Sequence, residues 1–130
     1  MLVPYMKKVN DFLHSRGKIV DLHSCGNNIK QVPNYIDAGF DSWDPQAMND
    51  SRKIYEMYGE KILIGIMPEI FDGDRTPEEK QRTIARDYAK EFCRPEKPSS
   101  LSGYTGYGHN MLTNVFREEI YRQSRIKYGG

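Results

Sequence analysis

Residues 17–46 read GKIVDLHSCGNNIKQVPNYIDAGFDSWDPQ, and this stretch decides the fold class. Its first residue, Gly17, suits the left-handed cap that ends a preceding helix. Residues 18–23 form a mostly apolar, β-branched run that is typical of a short strand. A helical stripe follows and ends at Gly39, after which residues 40–43 form a second brief strand that stops at Asp44-Pro45. The order strand, helix, strand predicts a βαβ unit with parallel strands.

The same pattern continues on both sides of this stretch. A helical stripe over residues 2–16 precedes it, and the later elements are a helix ending at Gly59, a strand over 61–67, a helix from Thr76 to about Cys93, a weak strand over 101–104 and a closing helix over 112–127. The sequence therefore predicts an α/β fold, with one helix followed by about four βα units. A doubly wound open sheet and a part of a (β/α)8 barrel both fit this order. A complete barrel needs about 250 residues, so 130 residues correspond to half of one at most.

Composition limits the classes of function. The chain has 19 Lys and Arg against 18 Asp and Glu, a formal charge of +1, which gives no strong field for nucleic acid or an anionic membrane. No apolar run approaches the roughly 18 residues of a membrane span, and the start lacks a secretory signal pattern. Two cysteines do not make a disulfide framework. We therefore interpret residues 1–130 as a single partial domain of a cytoplasmic protein.

Both candidate architectures bind ligands at the carboxyl ends of their parallel strands. Each predicted strand end carries polar or ligand-capable residues: His23-Ser24-Cys25-Gly26, Asp44-Pro45-Gln46, Pro68-Glu69-Ile70 and the Gly-rich loop Tyr104–Asn110. A purely structural half-barrel would not require this. The motifs of P-loop enzymes, of α/β-hydrolases and of dinucleotide-binding proteins are absent from the sequence.

His23 and Cys25 form the sharpest candidate site. Residues at positions i and i+2 of an extended chain project to the same side, so an imidazole and a thiolate can share one metal ion, and zinc favours this mixture of nitrogen and sulfur. His109, in the loop after the last strand, is the candidate third ligand. The alternative is a structural Cys beside a hydrogen-bonded His, with His109 a solvated loop residue. Cys93 is interpreted as a packing thiol.

Two carboxylates complete the candidate list. Asp44 and Glu69 follow the second and third predicted strands, where each can serve as an acid, a base or an oxygen ligand. Asp44 precedes a proline, so its alternative role is that of a turn residue. Glu69 is less easily explained as a cap. His14 lies within the first helix and is interpreted as a surface residue.

Several of these motifs together resemble the C-terminal half of the uroporphyrinogen decarboxylase superfamily. They are the opening stretch, the segment YGEKILIGIM (58–67), the helix TPEEKQRTIARDYAKEF (76–92) and GYGHNM (106–111), so the resemblance spans about residues 5–128. The superfamily has a (β/α)8 barrel fold, which agrees with the barrel alternative. One branch decarboxylates the acetate arms of uroporphyrinogen without metal or cofactor. The other branch consists of corrinoid-dependent methyltransferases that use zinc to activate a thiol.

The motifs combine features of both branches. The methyltransferases carry an H-x-C pair at a strand end, as His23 and Cys25 do here, and they take a further Cys from the loop after the last strand. That loop has His109 instead, following a glycine, which is similar to the decarboxylases, where the His contacts substrate. A His in place of a Cys remains a chemically sensible zinc ligand.

The resemblance implies a zinc-dependent methyltransferase that moves a methyl group from methylcobalamin, carried by a partner corrinoid protein, to a thiol. The first alternative is a decarboxylase-like enzyme in which substrate contacts come from Tyr104, Tyr107 and His109, with Gln46 a further substrate-binding candidate. The second alternative is a non-catalytic half-barrel that assembles with an N-terminal half or with another copy of itself. In each case we expect the isolated 130 residues to be inactive.

Overall fold

The protein is represented by a computed structural model that describes residues 3–46, 48–102 and 110–129. The described chain divides into two compact units, Met1–Ile66 and Met67–Gly130. Helices and strands alternate in the first unit, as the sequence predicted. The tyrosines at positions 104 and 107 and the histidine at 109 lie outside the described residues, as does Ala47.

The first unit contains a parallel sheet flanked by helices. In chain order its elements are α1 (Val3–Ser15), β1 (Asp21–Ser24), a 3₁₀ turn (Ile29–Gln31), α2 (Val32–Asp37), β2 (Ser42–Pro45), α3 (Ser51–Tyr58) and β3 (Leu63–Ile66). β1 pairs with β2 in parallel, and β2 pairs with β3 in parallel. The predicted α/β class and the parallel βαβ order are therefore confirmed.

The register gives the sheet two chemically different faces. His23 pairs with Asp44 and Trp43 pairs with Ile64, so Gly65 lies next to Asp44 on the following strand. Side chains alternate between faces along a strand, and aligned residues of parallel neighbours share a face. Asp21, His23, Ser42, Asp44 and Gly65 therefore lie on one polar face, and a hydrogen bond from Ser42 to Asp21 is consistent with this arrangement.

The opposite face of the sheet is apolar and packs on helices. Trp43, Ile64 and Ile66 are fully buried there. The Trp43 ring lies 5.4 Å from the ring of Tyr35 on α2, measured between centroids, and Ile54 of α3 is also fully buried. Burying such large apolar side chains stabilises the folded chain by roughly 1.5–3 kcal/mol each. This face supplies the core of the first unit, which leaves the polar face for chemistry.

Strand boundaries differ from the sequence prediction in a way that matters for the site. The second strand was expected to stop at Asp44-Pro45, yet β2 contains both residues. Pro45 is the last residue of β2 and pairs with Ser24, the last residue of β1. The N–H that proline lacks is therefore missing only at the end of the ladder, where its loss costs little. Asp44 is therefore held by the sheet itself instead of by a turn.

Glycines end two of the three helices in left-handed conformation, as predicted for Gly17. Gly17 has φ +72° and Gly39 has φ +83°, a region that side-chain-bearing residues rarely adopt. Gly59 also follows a helix, but its φ of −61° is right-handed, so it does not form that cap. Helix α2 begins at Val32 with Pro33 in its first turn, so this proline marks a helix start.

The second unit pairs two long helices. It contains α4 (Glu78–Phe92), the two-residue strand β4 (Ser100–Leu101) and α5 (Asn114–Tyr128). Its core joins Phe71, Ile84, Ala85, Met111 and Phe116. Helix α4 was expected to begin with Thr76 as its N-cap, but Pro77 occupies the cap and the Thr76 carbonyl accepts a hydrogen bond from Gln81 Nε2. Helix α5 begins at a Thr113 cap whose hydroxyl accepts the Phe116 N–H.

A buried carboxylate links α4 to α5. Glu119 is only 2% exposed, and its oxygens accept hydrogen bonds from Arg82, Arg86, Arg122 and Gln123 at 2.9–3.3 Å. Burial alone would raise the pKa of this carboxyl, but the donors from Gln123, Arg122 and Arg86 outweigh it and lower the pKa to about 2. The carboxylate is therefore charged under all ordinary conditions.

Helix α1 carries an apolar side that is largely exposed among the described residues. Tyr5, Val9 and Phe12 are 72%, 57% and 57% exposed, and Arg16 lies over the Phe12 ring. The opposite side carries the buried Asn10, whose amide donates to the Ala38 carbonyl at 2.9 Å. A search of the described residues finds no helix with both the length and the apolar character needed to cross a bilayer.

Candidate functional site

His23 and Cys25 are exposed at the carboxyl end of β1. His23 Nδ1 lies 3.0 Å from the backbone carbonyl oxygen of Asp44. A carbonyl only accepts hydrogen bonds, so this contact requires the proton on Nδ1 and leaves the Nε2 lone pair of the neutral ring available. Metal-binding histidines commonly have this arrangement, in which a backbone carbonyl fixes the tautomer of the ring. The pairing of β1 with β2 therefore prepares His23 to act as a ligand through Nε2.

The turn after β1 is held by side chains from the turn after β2. Gly26 adopts φ +88°, and its N–H donates to Gln46 Oε1 at 2.8 Å. The buried Asn49 donates to the Gly26 carbonyl at 2.9 Å and accepts the Asn28 N–H at 3.0 Å. These bonds satisfy the backbone polar groups of the turn that carries Cys25. The Cys25 carbonyl is fixed in turn by Asn28 Nδ2 at 2.5 Å.

Ser24 anchors the same strand end from the apolar face. Its hydroxyl oxygen accepts from Trp43 Nε1 at 3.0 Å and from the Tyr35 hydroxyl at 3.4 Å. The buried indole thereby finds a partner for its only donor. His23 and Cys25 flank Ser24. The end of β1 is therefore held on the polar face by the bond of His23 and on the apolar face by the bonds of Ser24.

Asp44 lies beside His23, and its carboxylate is turned towards β3. A Cβ atom built on Gly65 would lie 2.5 Å from Asp44 Oδ1, so only glycine leaves room for the carboxylate in this position. Oδ1 is buried, and within residues 3–46, 48–102 and 110–129 it has no hydrogen-bond partner. A buried acceptor without a donor costs about 1–3 kcal/mol. This oxygen is therefore an acceptor available to a donor or a cation from outside the described residues.

The other predicted site residues have simple surroundings. Gln46, a candidate for substrate binding, uses its amide oxygen on the Gly26 N–H. Glu69 belongs to the second unit, where it is exposed and lies 3.6 Å from Lys80 Nζ. His14 is half-exposed and bonds to Asp41. Cys93 is buried, as expected for a packing thiol, and burial raises the pKa of its thiol.

The predicted third ligand, His109, and the candidate substrate contacts Tyr104 and Tyr107 fall outside the described residues. Within the part of the chain that is described, no three His, Cys, Asp or Glu side chains come close enough to hold a metal ion. His23 and Cys25 nevertheless suit zinc chemically, because one offers an oriented ring nitrogen and the other an exposed thiol. They account for two of the donors that such a site needs.

Sequence reasoning missed two positions. Asn49 was not among the predicted site residues, yet it holds the Gly26 turn, while Asp50 caps α3 by accepting the Lys53 N–H at 3.1 Å. Gly65 was not singled out within the strand predicted over residues 61–67. Its signal was present, since an isolated glycine inside a strand often marks the close approach of another group.

Comparison of the chain with models of protein families, with curated proteins and with solved structures gives no match. Function is therefore inferred from the residues themselves.

Proposed function

We propose that this chain is the C-terminal part of a uroporphyrinogen decarboxylase superfamily protein, and that it belongs to the zinc-dependent, corrinoid-linked methyltransferases. The observation that carries the proposal is the contact between His23 Nδ1 and the Asp44 carbonyl, which leaves the Nε2 lone pair available two residues before the exposed Cys25. The resemblance of the motifs to that branch supports the same reading.

In this function His23 Nε2 and Cys25 Sγ would hold zinc, with His109 as the third ligand. Bound zinc would lower the pKa of a coordinated substrate thiol, which makes it a thiolate nucleophile near neutral pH. The methyl donor would be methylcobalamin on a separate corrinoid protein. Within the chain, the Asp44 carbonyl keeps the His23 proton on Nδ1, and the bonds from Gln46 and Asn49 keep the turn that carries Cys25 in place.

Metal analysis of the purified chain tests the proposal. We expect about one zinc per chain after purification with zinc present, and loss of that zinc from His23→Ala and from Cys25→Ser. Cys93→Ser is the matched control, because Cys93 is the other cysteine and is buried. The proposed site would be contradicted by a folded chain that retains no zinc. It would also be contradicted if His23→Ala and Cys25→Ser retained as much zinc as Cys93→Ser.

A porphyrin titration separates this function from the decarboxylase alternative, in which Tyr104, Tyr107 and His109 contact a tetrapyrrole. For the methyltransferase we expect thiol binding that depends on zinc and no tight porphyrin binding. Porphyrin binding that is unaffected by a chelator would favour the decarboxylase instead.

The proposed function also requires the strands and helices of the other half of the barrel. We propose that the N-terminal half of the barrel completes the enzyme, because among the described residues of the first unit β1 pairs on one side only, with β2. An unpaired strand edge invites association. Light scattering is the test: we expect the isolated chain to self-associate or to bind an added N-terminal half, and a stable 15 kDa monomer that ignores that half would contradict this role.

A further inference from the structure

We propose that Asp44 is an additional protein ligand of the metal held by His23 and Cys25, and that Gly65 gives its carboxylate a second resting position away from the metal. This inference rests on the proposed function, since it concerns the same site. It assigns an oxygen donor to the described part of the chain.

The first step is proximity. Asp44 and His23 are register partners on the polar face, and the His23 ring is drawn towards β2 by its bond to the Asp44 carbonyl at 3.0 Å. The Asp44 side chain therefore leaves the strand on the same face as the His23 imidazole. Rotation about two side-chain bonds is enough to move a carboxylate by a few ångströms, and carboxylate oxygen is an ordinary zinc ligand beside nitrogen and sulfur.

The second step is the cost of the observed position. Asp44 Oδ1 lies against Gly65, buried and without a donor among the described residues. An ionised or neutral carboxyl oxygen loses hydration there and gains no hydrogen bond in return. A cation on the polar face would offer this oxygen a better partner. Leaving this position would therefore cost the carboxylate no hydrogen bond at Oδ1 among the described residues.

The third step is the role of Gly65. An added Cβ would lie 2.5 Å from Asp44 Oδ1, 3.3 Å from Cγ and 3.2 Å from the Asp44 Cα. The Asp44 carboxylate is the end of a flexible side chain, so it would turn away from the added Cβ with only a slight shift of the backbone. Alanine at position 65 therefore removes the resting position against β3 and leaves the carboxylate facing His23. Glycine permits both positions, which makes it the residue that sets the balance between them.

A double-mutant cycle on the purified chain tests the inference. The variants are Asp44→Ala, Gly65→Ala and their combination, with Asp44→Asn as the variant that keeps the shape of the side chain. Zinc affinity is measured by competition with a chromogenic chelator. Cobalt(II) absorption is the second readout, because thiolate charge-transfer bands report Cys25 and ligand-field bands report loss of an oxygen donor. Circular dichroism confirms that each variant is folded.

We expect Asp44→Ala and Asp44→Asn to weaken zinc binding by at least about tenfold, since even outer partners of metal ligands are worth about 10–100-fold. The cobalt thiolate band should persist in both. Gly65→Ala should tighten zinc binding when Asp44 is present and leave it unchanged when residue 44 is alanine.

Three results would overturn the inference. Unchanged zinc affinity in both Asp44 variants would remove Asp44 from the site while leaving the His23 and Cys25 site intact. An equal effect of Gly65→Ala with and without Asp44 would show that Gly65 acts through the fold. A folded wild-type chain that binds no zinc, or one whose zinc is unaffected by His23→Ala and Cys25→Ser, would overturn the proposed function as well.

Discussion

His14 Nε2 lies 2.7 Å from Asp41 Oδ2, and the same oxygen accepts the Val20 N–H at 2.7 Å. His14 belongs to α1, Val20 precedes β1 and Asp41 precedes β2. A single carboxylate therefore ties the first helix to the start of two strands. The bond from the Val20 amide, helped by His14, lowers the pKa of Asp41, although partial burial acts in the opposite direction.

Removing this charge should make the first unit less stable in a way that depends on pH. Asp41→Asn should lower the free energy of unfolding by about 1 kcal/mol near neutral pH, a modest effect because the pair is partly exposed. The folded pKa is depressed, so the contribution is present above the usual value of 3.8 and is lost as the pH falls below it. Urea unfolding of both proteins should show the gap closing there. A gap that widens on acidification, or one matched by the exposed control Asp37→Asn, would contradict this.

The stability that Glu119, the buried carboxylate between α4 and α5, contributes should persist to a lower pH than that from Asp41. Glu119→Gln should cost about 2–4 kcal/mol, because it leaves three arginines without their shared buried partner. The exposed neighbour Glu118 pairs with Arg82 at 3.1 Å, so Glu118→Gln should cost less than about 1 kcal/mol. Because the folded pKa of Glu119 is about 2, its contribution should be lost only as the pH falls from about 4.5 towards 2. Similar losses in the two variants would contradict this account.

The turn after β1 should depend on Asn49 more than on its neighbours. Asn49→Ala removes hydrogen bonds to Gly26, Asn28 and Gln46, and we expect it to cost about 2 kcal/mol and to weaken zinc binding because the turn carries Cys25. Thermal unfolding and zinc competition measure the two effects. Asn27→Ala, at an exposed position of the same turn, is the control. Full zinc affinity in Asn49→Ala would show that Cys25 needs no such support.

The two thiols should differ in reactivity. Cys25 is exposed, whereas Cys93 is buried and the pKa of its thiol is raised by that burial. We expect iodoacetamide to label Cys25 at least about tenfold faster than Cys93 in the folded chain, since the thiolate is the reactive form. Mass spectrometry of digested samples gives both rates, and zinc should protect Cys25 alone. If the ratio of the Cys25 rate to the Cys93 rate were the same in the native chain as in urea, the difference in exposure between the two thiols would be contradicted.

Local signals in the sequence were sufficient for much of the fold. The parallel strands follow from apolar runs, and the glycine caps at positions 17 and 39 follow from the tolerance of glycine for positive φ. The burial of Cys93 was predicted from topology instead, because its helix was expected to return to the face of the sheet opposite the site. The α/β order needed no long-range information, because each helix and strand carries its own periodicity.

The details of the site depended on contacts between strands, which no local pattern specifies. Asp44 looked like a turn residue until pairing with β1 placed it inside a strand. Val9 and Phe12 belong to the helical stripe predicted over residues 2–16 yet are exposed, because periodicity does not specify which side of a helix finds a neighbour. The carboxylate contact with Gly65 depends on the register of β2 against β3.

The alternation of the two sheet faces also restricts how the connection between α2 and β2 can change in length. Adding one residue between Ala38 and Asp41 without shifting the helix would move β2 by one position and exchange its faces. Trp43 would then point to the polar side, and Ser42 would take the place that Trp43 now fills against Tyr35. Two added residues would restore the faces. Length variants of this connection should therefore be tolerated by parity, with even insertions folding and odd ones failing, irrespective of which amino acids are inserted.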